Sequence, residues 1–363
     1  MSIRPRQSLL CPDLQRPSAL QSVPRNGDQV WLDKNENLDP ELLKLSHQVL
    51  ISIPAIALAT YPEAGDLYRK LGHWAGVSPD SLLLTPGSDG AIRLCYEAFV
   101  EGGDTVVHTD PTFAMYPVYG QMFGTRALKV EYQRGADGPQ LDLERVHRLV
   151  RDERPKLLCL PNPDSPTGTV ADAGQLRALL AECEAAGTLF LLDEAYHPFH
   201  DVSAVSWTAQ SRNLIVARTF AKAWGVAGLR IGYAVGHPDT IALLHKMRPM
   251  YETSTLAVEF MTRMLDHADA MRASVARTLQ GKEFFADSMR ALGFRVPATA
   301  GNFLHVEFGD RAAAVHAALK GKVLYRANFE QACLVGFSRF SMAPRAVLEP
   351  VANLIQQSVK GTS

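Results

Sequence analysis

Leu189-Phe190-Leu191-Leu192-Asp193-Glu194-Ala195-Tyr196 decides how this chain folds. Four consecutive apolar residues suit a strand covered on both faces rather than one wetted on alternate sides. The polar, chemically capable residues begin only where the apolar run ends. The same plan recurs along the chain. Residues 82–85 run into Pro86-Gly87-Ser88-Asp89-Gly90, and residues 157–160 into Pro161-Asn162-Pro163-Asp164-Ser165-Pro166-Thr167-Gly168. Residues 213–217 run into Arg218-Thr219-Phe220-Ala221-Lys222. Residues 105–108 and 231–235 read as further short apolar strands, and helix-length segments such as 172–186 lie between them. Strands alternating with helices predict an α/β fold, a mostly parallel sheet flanked by helices.

Upstream, Leu67, Leu71 and Trp74 recur at helical spacing ahead of the Ser78-Pro79 turn. Ser88 can cap a helix that carries Ile92, Cys95 and Phe99 on one side. Past Gly236 the texture changes. Residues 239–292 hold few turn signals and read as long helix, 294–296 and 303–308 as strands, and 344–358 as a final helix. This predicts a smaller α+β domain after the large one. The N-terminal residues have no sheet of their own and are expected to pack on the C-terminal module or on another subunit. The expected division is an N-terminal arm and part of the small domain at 1–45, a large domain at 46–240 and a small C-terminal domain at 241–363.

The 363 residues suit two to three domains at roughly 150 residues each. The 37 basic and 38 acidic residues nearly cancel, so no broad basic field is available for nucleic acid or an anionic membrane. The 5 cysteines form no CxxC pair, which suits free buried thiols in a reducing compartment. The longest apolar run, 49–59, is broken by Ser52 and Pro54 and is shorter than the ~18 residues a membrane span needs. The Arg- and Pro-rich first residues lack a signal-peptide core. A cytoplasmic location is the expectation.

In an open α/β sheet, ligands bind beyond the carboxyl ends of the strands. One rim here gathers a glycine-led helix start at Gly87, then Asn162, Asp193, Tyr196, Lys222 and Arg230. Singly these are ordinary: most lysines are solvated, aspartates cap helices, and any helix start can hold a phosphate. Together, in this order on these strand ends, they are specific. Asp193, His197 and His200 have metal-like spacing, but ordinary hydrogen-bonded histidines are the plainer reading and no metal is expected. No GxGxxG, Walker A or GxSxG motif is present, against nicotinamide, nucleotide and serine-hydrolase chemistry.

On these residues the chain resembles the class I/II aminotransferases of pyridoxal-phosphate fold type I, and within them the histidinol-phosphate aminotransferases. The resemblance runs from Leu32-Asp33-Lys34-Asn35-Glu36-Asn37 to Ser338-Arg339-Phe340-Ser341. It takes in Tyr61-Pro62-Glu63, Asp110-Pro111-Thr112-Phe113-Ala114-Met115-Tyr116, the Asn162 loop, Asp193-Glu194-Ala195-Tyr196 and the stretch around Lys222 and Arg230.

The resemblance implies pyridoxal 5'-phosphate as cofactor and a role for each matching residue. Lys222 would bond the cofactor aldehyde and then shuttle the proton. Asp193 would keep the pyridine nitrogen protonated. Asn162 and Tyr196 would contact the phenolic oxygen, and Phe113 would stack on the ring. Ser88 and Asp89 backbone N–H groups, the Thr219 hydroxyl and the Arg230 guanidinium would hold the phosphate. Tyr61 would reach the cofactor of a second subunit, implying a homodimer. Arg339, Arg326 and Asn37 would face the substrate. The implied substrates are a small amino donor and a 2-oxo acid, histidinol phosphate with 2-oxoglutarate first among them.

Departures from the family pattern touch the substrate side more than the cofactor side, where Ala221 loses one phosphate hydroxyl. Ala221 stands where a serine is common, and Asn35-Glu36-Asn37-Leu38-Asp39-Pro40 lacks the usual proline and aromatic. Residues 248–253 also match imperfectly. An aromatic or general aminotransferase is one alternative. A decarboxylase of the threonine-phosphate decarboxylase type, sharing the cofactor apparatus, is another. A non-catalytic aminotransferase-like regulator domain is a third, and the retained catalytic set speaks against it.

Overall fold

A computed structural model of the chain describes residues 4–12, 14 and 25–360. Seven strands form the main sheet, in the order Leu82–Thr85, Gly232–Gly236, Leu214–Thr219, Leu189–Asp193, Leu157–Pro161, Thr105–Asp110 and Arg126–Glu131. Gly232–Gly236 runs antiparallel to both of its neighbours; the other six share one direction. The expected mostly parallel sheet is therefore present, with one reversed strand.

Alternate residues of the central strands feed two cores. Leu84, Val107, Leu158, Leu160, Leu192 and Val216 face one side. Leu83, Val106, Leu157, Cys159, Leu191 and Ile215 face the other. Each fully buried aliphatic side chain contributes roughly 1.5–3 kcal/mol, so a strand covered on both faces gains from every residue. The connecting helices have local reasons to form where they do. Asp172 and Gln175 make a reciprocal capping box that starts helix Ala173–Ala186, and Gly187 ends it in the left-handed conformation. The helix Gly87–Phe99 starts differently from the sequence expectation. Its N-cap is Pro86, and Ser88 lies inside the first turn without making a side-chain cap. A proline preceding a glycine of positive φ turns the chain sharply enough to begin the helix two residues early.

The long stretch 239–292 is three helices, Pro238–Met247, Thr255–Met264 and Ala268–Ala291. Pro249 cannot continue the first, and Ser254 caps the second through the Ala257 N–H at 3.2 Å. The second helix packs Ala257, Val258, Met261 and Met264 into the core of the main sheet although it lies past residue 240. A third core forms around the antiparallel pair Phe303–Glu307 and Phe337–Ser341, with Phe285, Met289, Leu304, Val306, Phe340 and Ile355. Residues 294–296 are not a strand; Arg295 makes only an isolated bridge to Glu307. Part of the N-terminal segment joins this module: Val30–Trp31 pairs in parallel with Val323–Leu324, and Leu32 is buried in the third core. Other parts pack on the large domain, where Ser8 Oγ donates to the Met122 carbonyl at 2.8 Å and Leu42 enters the core of the main sheet. None of the described helices is long and apolar enough to cross a membrane.

Candidate active site

A cavity of about 800 Å³ opens between the carboxyl ends of the main strands, the arm segment 33–36 and the C-terminal module. Asp193, the last residue of its strand, stands at the base and is buried. Its Oδ2 accepts from the Tyr116 hydroxyl at 3.0 Å and its Oδ1 from the Ala195 N–H at 3.0 Å. Burial pushes this carboxyl up to about 6, while the two donors and neighbouring Asp89 act in opposite directions as smaller influences. The next residue, Glu194, is locked by Arg218 at 2.8 Å in a pair buried on both sides, which fixes the strand end that presents Asp193.

Lys222 stands across from Asp193 in the loop after Leu214–Thr219. Its Nζ lies 5.9 Å from the centroid of the Tyr196 ring and donates to the Lys34 carbonyl at 2.7 Å. Burial, and then the Arg339 guanidinium, lower this amine to about 8. Roughly a tenth is thus unprotonated at pH 7, far more than for an ordinary lysine of pKa about 10.4, which favours a nucleophilic role.

One end of the cavity is built for an anion. The N-terminus of Gly87–Phe99 points into it with Ser88 and Asp89, and Thr219 and Arg230 complete the wall. Gly87 has φ +75°, and a Cβ there would lie 3.1 Å from Arg230 Nη2, so only glycine lets the guanidinium close over the helix start. Arg230 itself holds φ 52°, a sparsely populated conformation for a side-chain-bearing residue. The Thr219 Oγ1 accepts from the Ala221 N–H at 3.1 Å, leaving its hydroxyl proton free to donate inward.

The opposite end carries Arg339 and Arg326, whose backbones pair at 2.8 and 3.0 Å. Arg339 is 7% exposed; one of its terminal nitrogens donates to the Asp33 carbonyl at 3.0 Å, and its Nε has no partner among the described residues. Arg326 is exposed and lies over the Phe329 ring at 5.0 Å. Phe113 lines the wall, edge-on to Tyr116.

Three expected residues are placed elsewhere. Asn162 turns out of the cavity: its side chain accepts from the Ala171 N–H at 2.8 Å and donates to the Ala171 carbonyl at 3.2 Å. That bracing leaves Ser165, three residues on, in the wall. Asn37 also points away, donating to the Ala223 carbonyl at 2.9 Å and to Ser274 Oγ at 3.0 Å. Asn35, at φ 54°, is the arm asparagine that faces inward, donating to the Tyr196 hydroxyl at 2.8 Å. Tyr61 lies outside the cavity, 72% exposed and stacked on Tyr251 at 4.3 Å. Tyr116, Asn35, Ser165, Phe329 and Gln331 are wall or support residues to which sequence reading gave no role. All but Phe329 and Gln331 sit inside motifs already singled out.

The family described as "Aminotransferase class I and II" matches residues 27–355. Histidinol-phosphate aminotransferase 1 of Carboxydothermus hydrogenoformans is 30% identical over 79% of this chain and 81% of its own length. The crystal structure of histidinol-phosphate aminotransferase from Sinorhizobium meliloti in complex with pyridoxal-5'-phosphate superposes with a TM-score of 0.78 at 25% identity, covering 92% of each chain. L-threonine-O-3-phosphate decarboxylase from Porphyromonas gingivalis, at TM-score 0.74 and 20% identity over 91% of this chain and 99% of its own, shares the fold alone. With a family match over nearly its whole length, the chain belongs to the class I and II aminotransferases and is a pyridoxal-phosphate-dependent transaminase.

Proposed function

We propose that the amino donor is histidinol phosphate and the acceptor 2-oxoglutarate, giving imidazole acetol phosphate and glutamate. The observation that carries this reading is the pair Arg339 and Arg326 at the substrate end. Two guanidiniums on adjoining backbones suit a dianion better than a single carboxylate. The names of the similar proteins lend the same direction.

The residues present fit the cofactor: a glycine-shaped cradle under Arg230, a buried carboxylate and a deprotonatable lysine stand around one cavity. Pyridoxal phosphate, when bound, supplies an aldehyde that bonds amines and a ring that accepts the electrons left as the donor's Cα–H bond breaks. In this reading Ser88 and Asp89 N–H groups, Thr219 and Arg230 hold the phosphate. Asp193 holds the proton on the ring nitrogen, and Tyr116 and Ala195 keep its carboxylate aimed. Phe113 covers the ring face. Lys222 Nζ carries the proton between the donor Cα and the reacting carbon, and Tyr196, fixed by Asn35, orients the phenolic oxygen. Ser165 replaces Asn162 as the loop side chain on that wall.

Arg339→Ala is expected to lose at least ~10-fold in kcat/KM for every anionic substrate, since a charge-assisted hydrogen bond is worth about 1.5–3 kcal/mol. Arg326→Ala should harm histidinol phosphate more than glutamate. Steady-state kinetics with both donors checks this; equal losses, or none, would remove the phosphate argument and favour an aromatic or general aminotransferase.

A two-fold homodimer belongs to the same reading. Tyr61 stacks on Tyr251, and Ile51, Ile56, Leu58 and Met250, close to one or the other in sequence, are all exposed; a second copy would cover such apolar side chains. Tyr61→Phe should weaken cofactor retention more than folding, read by cofactor absorbance after dialysis beside a thermal melt. Sedimentation as a fully active monomer would contradict the dimer.

A further inference from the structure

Gln331 lines the substrate end of the cavity, and its Oε1 is buried with no hydrogen-bond partner among the described residues. An amide oxygen buried without a protein donor costs free energy that a donor on a bound ligand can recover. We propose that Gln331 is a specificity-determining residue that accepts a hydrogen bond from a planar N–H group on the amino donor, an inference that rests on the proposed function and narrows its substrate class.

The placement supports this. Gln331 follows Phe329, whose ring carries Arg326 at 5.0 Å on one side and meets His305 at 5.6 Å on another. The wall thus offers, within one short segment, a cation for an anion, an aromatic face for a flat ring and an acceptor for an N–H. Phe329 is itself buried with Cys333, Leu334, Phe337 and Tyr132 in a small core of their own. The Gln331 carbonyl accepts from the Leu334 N–H at 2.8 Å. The acceptor is therefore mounted on anchored backbone, so little ordering cost falls on binding. His305 is fully buried with neither ring nitrogen partnered among the described residues, but it lies behind Arg339 and does not line the cavity. Among the described residues lining the cavity, the oxygens buried without a partner are Thr112 Oγ1 and Gln331 Oε1, and Gln331 is the one in the segment that carries Arg326 and Phe329.

The chemical class this selects is a phosphorylated amine bearing an azole or amide N–H; a carbocyclic ring of the same shape fills the space and leaves Oε1 unpaired. Sites built to hydrogen-bond a substrate group discriminate strongly against an analogue that lacks it.

The test compares L-histidinol phosphate with L-phenylalaninol phosphate on the pyridoxal-phosphate-loaded enzyme, wild type against Gln331→Leu. Both kcat/KM and the binding constant from the donor-induced change in cofactor absorbance are read. Wild type should favour the N–H donor by roughly tenfold or more, and Gln331→Leu should bring the ratio to within about threefold, mainly through KM. A wild-type ratio near one, or an unchanged ratio in Gln331→Leu, overturns the inference. Should Gln331→Leu fail to load cofactor, Gln331→Met and the wild-type ratio decide in the same way. Intact N–H preference in binding, with no glutamate formed from histidinol phosphate and 2-oxoglutarate, would end the proposed substrate while leaving this inference standing.

Discussion

Lys222→Ala is expected to lose transamination by several powers of ten while the protein still folds. The side chain is placed to be both the covalent anchor of the cofactor and the carrier of the Cα proton, and losing two roles of one group is not repaired by its neighbours. The folding cost is small, because Nζ gives up one hydrogen bond, to the Lys34 carbonyl, and a 5.9 Å approach to the Tyr196 ring. Retention of more than ~1% of wild-type turnover would sink the assignment. The pH dependence provides a second check. With the amine lowered to about 8, half of it is neutral at that pH and nearly all of it a unit or more above. Reloading of stripped protein with pyridoxal phosphate should accelerate with pH accordingly, with its midpoint at about 8. A lysine at its ordinary value of about 10.4 would put that midpoint more than two pH units higher. Arg339→Ala should move the midpoint upward, since the guanidinium helps to hold the amine down.

Asp193→Asn should reduce the rate of the first half-reaction by roughly 10²–10³-fold, corresponding to the about 3–5 kcal/mol lost when one partner of a buried ion pair is removed. The amide keeps the shape: its oxygen can accept from the Ala195 N–H while its nitrogen donates to the Tyr116 hydroxyl, so the loss reports charge rather than packing. Burial raises this carboxyl to about 6, so it is ionised at neutral pH and takes up a proton as pH falls through that value. Cofactor retention in wild type should weaken on the acid side of about 6, and that limb should vanish in Asp193→Asn. Stopped-flow absorbance of the loaded enzyme with glutamate measures the rate. A rate within tenfold of wild type would show that the ring nitrogen does not depend on Asp193.

The large fold was legible because its signals are local. Unbroken apolar runs mark strands buried on both faces, and residues 157–160 and 189–192 fall within the strands Leu157–Pro161 and Leu189–Asp193. The edge strand Arg126–Glu131 gave no such signal, because only Val130 of its six residues is buried, Leu128 is half-buried against the core, and the other four are exposed. The reversed direction of Gly232–Gly236 is set by long-range pairing and leaves no trace in hydrophobic pattern.

At the site, Asp193 could be located because it ends its strand, and Lys222 because it follows the end of the next strand by three residues. The side chains of the 161–168 loop could not. Asn162 and Ser165 lie in one turn, and whether an asparagine faces the cavity or braces Ala171 depends on a backbone path that proline spacing alone does not specify. The exchange of Asn37 for Asn35 has the same origin: a left-handed residue in the arm rotates which side chain is presented. Tyr116 stayed unassigned because its contact with Asp193 joins two distant segments.

The most direct test of the account is a donor panel on the loaded wild-type enzyme. Histidinol phosphate, phenylalanine, tyrosine and O-phosphothreonine are each supplied with 2-oxoglutarate, and glutamate and carbon dioxide are followed in the same reactions. The account predicts glutamate formation with kcat/KM for histidinol phosphate at least about tenfold above any other donor, and no carbon dioxide. A higher kcat/KM for an aromatic amino acid, or carbon dioxide released from O-phosphothreonine without glutamate, would contradict it.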